Sequence, residues 1–122
     1  MRAPLGTFVH ARSGDKGGDA NLGLWVSHTA TLGGRACRDH EYDERVAWLL
    51  DTVTPDFVGT LLPEAQDLDI EVFDLPNLGG VNVVLHGLLG EGVAASTRFD
   101  PQAKGLGEWA RSRYVEIPEA LL

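Results

Sequence analysis

Arg12, Asp15, Lys16 and Asp19 lie within one short run, R-S-G-D-K-G-G-D-A-N from Arg12 to Asn21, which also holds Gly14, Gly17 and Gly18. Glycine permits positive φ and close backbone approach, so successive amide N–H groups can converge on one anion. Read this way, the amides from Gly14 to Gly18 form a nest, with Ser13, Asp19 and Asn21 among its ligand contacts. Arg12 and Lys16 supply cations for anionic oxygens, and Asp15 and Asp19 are counter-charges or general bases. The plain alternative is a surface turn in which Asp15 and Asp19 hydrogen-bond their own backbone. The run is neither a Walker A loop nor G-x-G-x-x-G. As a calcium loop counted from Asp15 it also fails, because position twelve is Val26 instead of glutamate.

A second constellation runs from Asn77 through Gly79, Gly80 and Asn82 to His86. On a helix, Asn82 and His86 are i and i+4 and share a face. They suit ligand hydrogen bonding, with His86 as acid or base near neutral pH. The alternative is a histidine bonded to a carbonyl or carboxylate. Cys37 and His40 are too few for a zinc site, so no metal is expected, and they lack the third group of a nucleophilic set. His10 and His28 approach the glycine run if the strands around it are neighbours. Trp25, Trp48 and Trp109 read as core or interface aromatics.

These residues need elements to position them. Leu5–Ala11 alternates as a short strand, and Leu22, Leu24 and Val26 lie on one face of a second. Residues 29–38 read as a loop or a short hidden strand. Val46, Leu49, Leu50 and Val53 recur at helical spacing behind an acidic first turn. Thr54-Pro55 starts a second helix as N-cap and first helical residue, and Pro63 stops it. Leu68, Ile70 and Val72 predict a half-buried strand ended by Pro76-Asn77. Val81, Val84, Leu85, Leu88 and Leu89 predict a further helix. Val93–Phe99 predicts a strand, and Asp100-Pro101 opens a terminal helix. The implied fold class is α+β: a two-layer sandwich of about four strands with helices on one face.

The 122 residues fit a single domain, residues 1–122. Eighteen acidic against ten basic residues give a net charge of −8, which argues against nucleic acid and against an anionic membrane surface. A single cysteine and no long apolar stretch set the expectation of a cytoplasmic protein without a disulfide or a membrane span.

His10–Trp25 (H-A-R-S-G-D-K-G-G-D-A-N-L-G-L-W), Leu75–Val93 (L-P-N-L-G-G-V-N-V-V-L-H-G-L-L-G-E-G-V) and Asp100–Glu108 (D-P-Q-A-K-G-L-G-E) resemble the C-terminal domain of the acyclic terpene utilisation protein A (AtuA) family. That domain also occurs as a small stand-alone protein. The resemblance implies a ferredoxin-like domain, usually fused to or paired with a larger AtuA N-terminal type module, in acyl-CoA-level catabolism of branched or terpenoid acids. It implies that Arg12, Ser13, Gly14, Asp15, Lys16, Gly17, Asn21, Asn77, Asn82 and His86 carry the family motif. Glu91 stands where the family tends to have glycine, and the family's Q-G-K reads Gln102-Ala103-Lys104 here.

Three functions are in play. The leading one is an accessory subunit that binds an acyl-CoA or carboxylate at the glycine run, with Gly18 among the ligand contacts. It needs no cofactor, a CoA thioester being the substrate. The second is a stand-alone hydratase- or isomerase-type enzyme with Asp15 or His86 as catalytic base. The third is a structural homo-oligomer that binds no small ligand, formed through an exposed sheet face or edge.

Overall fold

The computed structural model describes residues 1–16, 18–27, 41–87 and 105–122, with the side chains of residues 16 and 64 left aside. Six strands are described: β1 (Arg2–Pro4), β2 (Val9–Lys16), β3 (Asp19–Val26), β4 (Asp69–Leu75), β5 (Gly80–His86) and β6 (Tyr114–Glu116). Three α-helices accompany them: α1 (Glu41–Thr52), α2 (Pro55–Leu61) and α3 (Leu106–Ser112). Two antiparallel hairpins, β2–β3 and β4–β5, join through their second strands into one sheet of order β2-β3-β5-β4. β1 and β6 pair separately.

Alternation decides which side of the large sheet is covered. On β3, Ala20, Leu22, Leu24 and Val26 are buried while Asp19, Asn21, Gly23 and Trp25 are half-buried. On β5, Val81, Val83 and Leu85 are buried. These side chains join Val46, Leu49, Val58, Leu61 and Ala110 from the helices in one core. Burial of each such valine or leucine side chain contributes about 1.5–3 kcal/mol. The result is the expected α+β two-layer, ferredoxin-like arrangement.

The helix signals around residues 41–63 act as their chemistry dictates. Glu41, Asp43 and Glu44 fill the first turn of α1, where they complement the helix dipole. Thr54 caps α2, its side chain accepting from the Phe57 N–H at 3.1 Å, with Pro55 following. β4 also falls where the Ile70/Val72 alternation puts it, and a 3-10 turn at Pro76–Leu78 ends it.

Three readings need correction. The helix expected over residues 81–89 is strand β5 in its described part. Its central position between β3 and β4 calls for apolar Val84 on the second face too, and that extra valine completes a false helical stripe. The strand expected from Leu5 starts at Val9, as β2, because Leu5–Thr7 form a 3-10 turn, and β1 precedes it. The glycine run is not a long loop: Lys16 stands opposite Asp19, so the turn has only residues 17 and 18 between paired strands. The expectations at 29–38, at 93–99 and for the Asp100-Pro101 cap lie outside the described residues. The terminal helix is described as α3, and the tail beyond it forms β6.

Candidate functional site

The side of the sheet away from the helices carries four rows of residues, read across β2, β3, β5 and β4. They are His10, Trp25, Gly80 and Leu75; Arg12, Gly23, Asn82 and Phe73; Gly14, Asn21, Val84 and Glu71; and Lys16, Asp19, His86 and Asp69. Paired strands place register partners on the same face, so these sixteen positions form one surface. Among the described residues no element packs on it.

The register divides the glycine run between the two faces. Arg12, Gly14, Lys16, Asp19 and Asn21 stand in the open-face rows. Ser13 turns the other way, and its Oγ accepts the Gly107 N–H at 2.7 Å in the first turn of α3. Asp15, two residues on, shares that side by alternation and is exposed. From Gly14 to Lys16 the amides belong to a strand paired with β3, where successive N–H groups point to opposite edges, so these do not converge on one anion. Gly18 lies in the turn, and Gly17 lies outside the described residues. So do His28, Cys37 and His40. Among the described residues no group of three His, Cys, Asp or Glu side chains is placed to hold a metal ion.

Asn82 and His86 do share a face, although on a strand instead of a helix, since i and i+4 satisfy both periods. His86 sits between two carboxylates: Nδ1 is 3.1 Å from Asp19 Oδ2 and Nε2 is 2.5 Å from Glu71 Oε1. The other Asp19 oxygen accepts the Gly87 N–H at 2.8 Å. The Glu71 hydrogen bond raises the His86 pKa above its usual 6.5; desolvation, the next influence in size, opposes it, and Asp19 raises it further. The two carboxylates favour the protonated ring, and both of its nitrogens are engaged by them. Asp15 and His86, the two candidate bases, lie on opposite faces.

Two concavities open on the bare face. A polar one of about 350 Å³ is lined by Arg12, Gly14, Asn21 and Asn82, and reaches Ser13 and Asp15 at the sheet edge. An apolar one of about 640 Å³ is lined by Trp25, Phe73, Leu75 and Leu78. Gly23, Trp25 and Asn82 line both, so the two are continuous. In the polar part Arg12 is exposed and has no ion-pair partner among the described residues. Asn21 Oδ1 is buried and accepts no hydrogen bond from them, a loss that a ligand donor would repair. Gly80 keeps the apolar floor low, because a Cβ there would collide with the Leu24 carbonyl oxygen and with Trp25. His10 stacks on Trp25 with ring centroids 5.7 Å apart. Asn77 lies on the exposed 3-10 turn beyond the groove.

Glu71 and the apolar wall of Trp25, Phe73, Leu75 and Leu78 were not legible as site residues. Only the strand register brings them beside Asn82 and His86.

An antiparallel four-stranded sheet, helices on one side and on the other a partly polar groove that no described element covers, defines a small α+β domain of ferredoxin-like type. The family model of the AtuA ferredoxin-like domain matches residues 3–116, nearly the whole chain, and the protein belongs to that family. Comparison with curated proteins and with solved structures gave no match.

Proposed function

We propose that this chain is an accessory domain that binds a branched acyl-CoA or related carboxylate on its open sheet face and works beside a larger AtuA N-terminal type subunit. The continuity of the two concavities carries the reading: one end is cationic and hydrogen-bonding, the other is apolar. A ligand with an anionic or thioester head and a branched aliphatic tail matches that division. Arg12 holds anionic oxygens and Asn82 orients the head. The Asn21 oxygen takes a hydroxyl or amide N–H. Trp25, Phe73, Leu75 and Leu78 receive the tail. His86, clamped by Asp19 and Glu71, fixes the charged end of the face as a positioning group.

The test is thermal unfolding of the chain with branched and short acyl-CoAs, free CoA and simple carboxylates. A ligand at one hundred times its dissociation constant adds about 2.7 kcal/mol. That raises the midpoint by about 4–7 °C in a domain of this size. A shift with the branched acyl-CoA that exceeds the shift with free CoA, and that falls in Arg12→Ala, supports the reading. No shift with any of these ligands refutes it. Turnover by the isolated chain favours the hydratase or isomerase instead.

A further inference from the structure

We infer that the open sheet face is also the contact between two copies of this chain, stacked face to face about a twofold axis that runs parallel to the strands between β3 and β5. This goes beyond the ligand reading and is argued from the register; because Arg12, Asn21, Asn82, Trp25, Phe73 and Leu75 serve both, a second copy and a bound ligand are alternatives at this face. Such an axis lays β2 of one copy over β4 of the other, and β3 over β5, and keeps every row on its own row. Trp25 then stands over the row of the second copy's Gly80 and Leu75, at the apolar concavity those residues line. Asn82 stands over Gly23, and Val84 over Asn21. Each bulky group meets a small or flat one, in both directions at once, as an isologous contact requires.

The chemistry of the rows selects this axis. The apolar groups of the face, Trp25, Phe73 and Leu75, occupy the first two rows, and the carboxylates Asp69, Glu71 and Asp19 occupy the last two. Keeping the rows in register buries apolar on apolar and brings Arg12 over the Phe73 ring of the second copy, one row from Glu71. An axis across the strands inverts the rows. It would set Trp25 on Asp19, Leu75 on Asp69 and Phe73 on Glu71, each an apolar group against a carboxylate. Phe73, Leu75 and Leu78 are 47%, 38% and 69% exposed, an apolar wall that a second copy removes from water.

The arrangement is read by mass and by cross-linking. Light scattering on the eluting wild-type chain is expected to give twice the chain mass, and Val84→Glu, which sets carboxylates beside the axis, to give the chain mass with unchanged circular dichroism. In a Cys37→Ala background, His10→Cys copies are mixed with Leu75→Cys copies and treated with a short bis-maleimide spanning about 10 Å, the usual separation of stacked sheets. Within one chain these positions lie three strand spacings apart, about 14 Å. The mixture is expected to cross-link, and each variant alone is not. A wild-type mass of one chain, a dimer that survives Val84→Glu, or a mixture that cross-links no better than its components would overturn the proposal. A single-chain mass with an acyl-CoA thermal shift sinks the dimer and leaves the ligand reading intact. A dimer indifferent to every acyl ligand does the reverse.

Discussion

Arg12 and Ser13 are neighbours in sequence and do unrelated work, because a strand sends successive side chains to opposite faces. Arg12→Ala is expected to weaken acyl-ligand binding about tenfold or more, the scale of a lost charge-assisted hydrogen bond, and to leave the unliganded melting midpoint unchanged. Calorimetric titration beside a melt separates the two quantities. His86 is the titrating group of the face. Its raised pKa means that its contribution to stability is fully present below the unfolded value near 6.5 and is lost as the pH rises through the folded pKa. Glu71→Gln removes the larger of the causes, so the His86 imidazole signals, followed by NMR against pH, are expected to titrate at lower pH in that variant. An unchanged titration would show that Asp19 alone holds the proton.

At the scale of elements, Ser13 is the distant cap of a helix. α3 starts with no side-chain cap of its own, and the Ser13 hydroxyl takes up the Gly107 N–H across the sheet edge. Ser13→Ala is expected to lower stability by about 1 kcal/mol, measured by denaturant midpoint, with ligand affinity unaffected. Gly80→Ala forces a Cβ into the β3 backbone and is expected to cost about 1–3 kcal/mol. The helix α2 and the strand β4 were legible in the sequence because their signals are local: a capping threonine with proline behind it, and strict alternation of apolar with acidic residues. β5 was not, since Val84 lies on the open face between two flanking strands and its apolar character reports non-local neighbours. The same cause hid the groove. Arg12, Asn21, Asn82 and His86 were visible as polar groups, but their assembly with Glu71 and Phe73 exists only through the pairing of distant strands. The glycines suggested a loop, whereas only the tip at residues 17 and 18 required one.

Among the described residues a buried cation ties distant parts of the chain together. Arg45 of α1 is 1% exposed, lies 4.5 Å over the Phe8 ring, donates from Nε to the Leu121 carbonyl at 3.0 Å and has the Glu41 carboxylate 3.8 Å away. It joins the first helix to the last residues of the chain and to the segment that precedes β2. Arg45→Ala leaves Glu41 buried without this partner and is expected to destabilise by about 3 kcal/mol, read from urea unfolding.

The pairing of β1 with β6 has a further consequence. The Met1 ammonium bonds the Ile117 carbonyl at 3.1 Å, so the two ends of the described fold lie side by side. Topologically the fold is then nearly a closed ring, and the place where the ring is cut becomes a separable choice. Bridging Leu122 to Met1 with a short linker and opening the chain between Lys16 and Asp19 would make β3 the first strand and β2 the last. Counting the strands of the four-stranded sheet, the order would become strand, helices, strand, strand, helix, strand, the βαββαβ sequence of an ordinary ferredoxin-like chain, with the β6–β1 pair now inserted before the last strand and every strand still beside its present neighbour. A circular permutant of that design should fold to the same sheet.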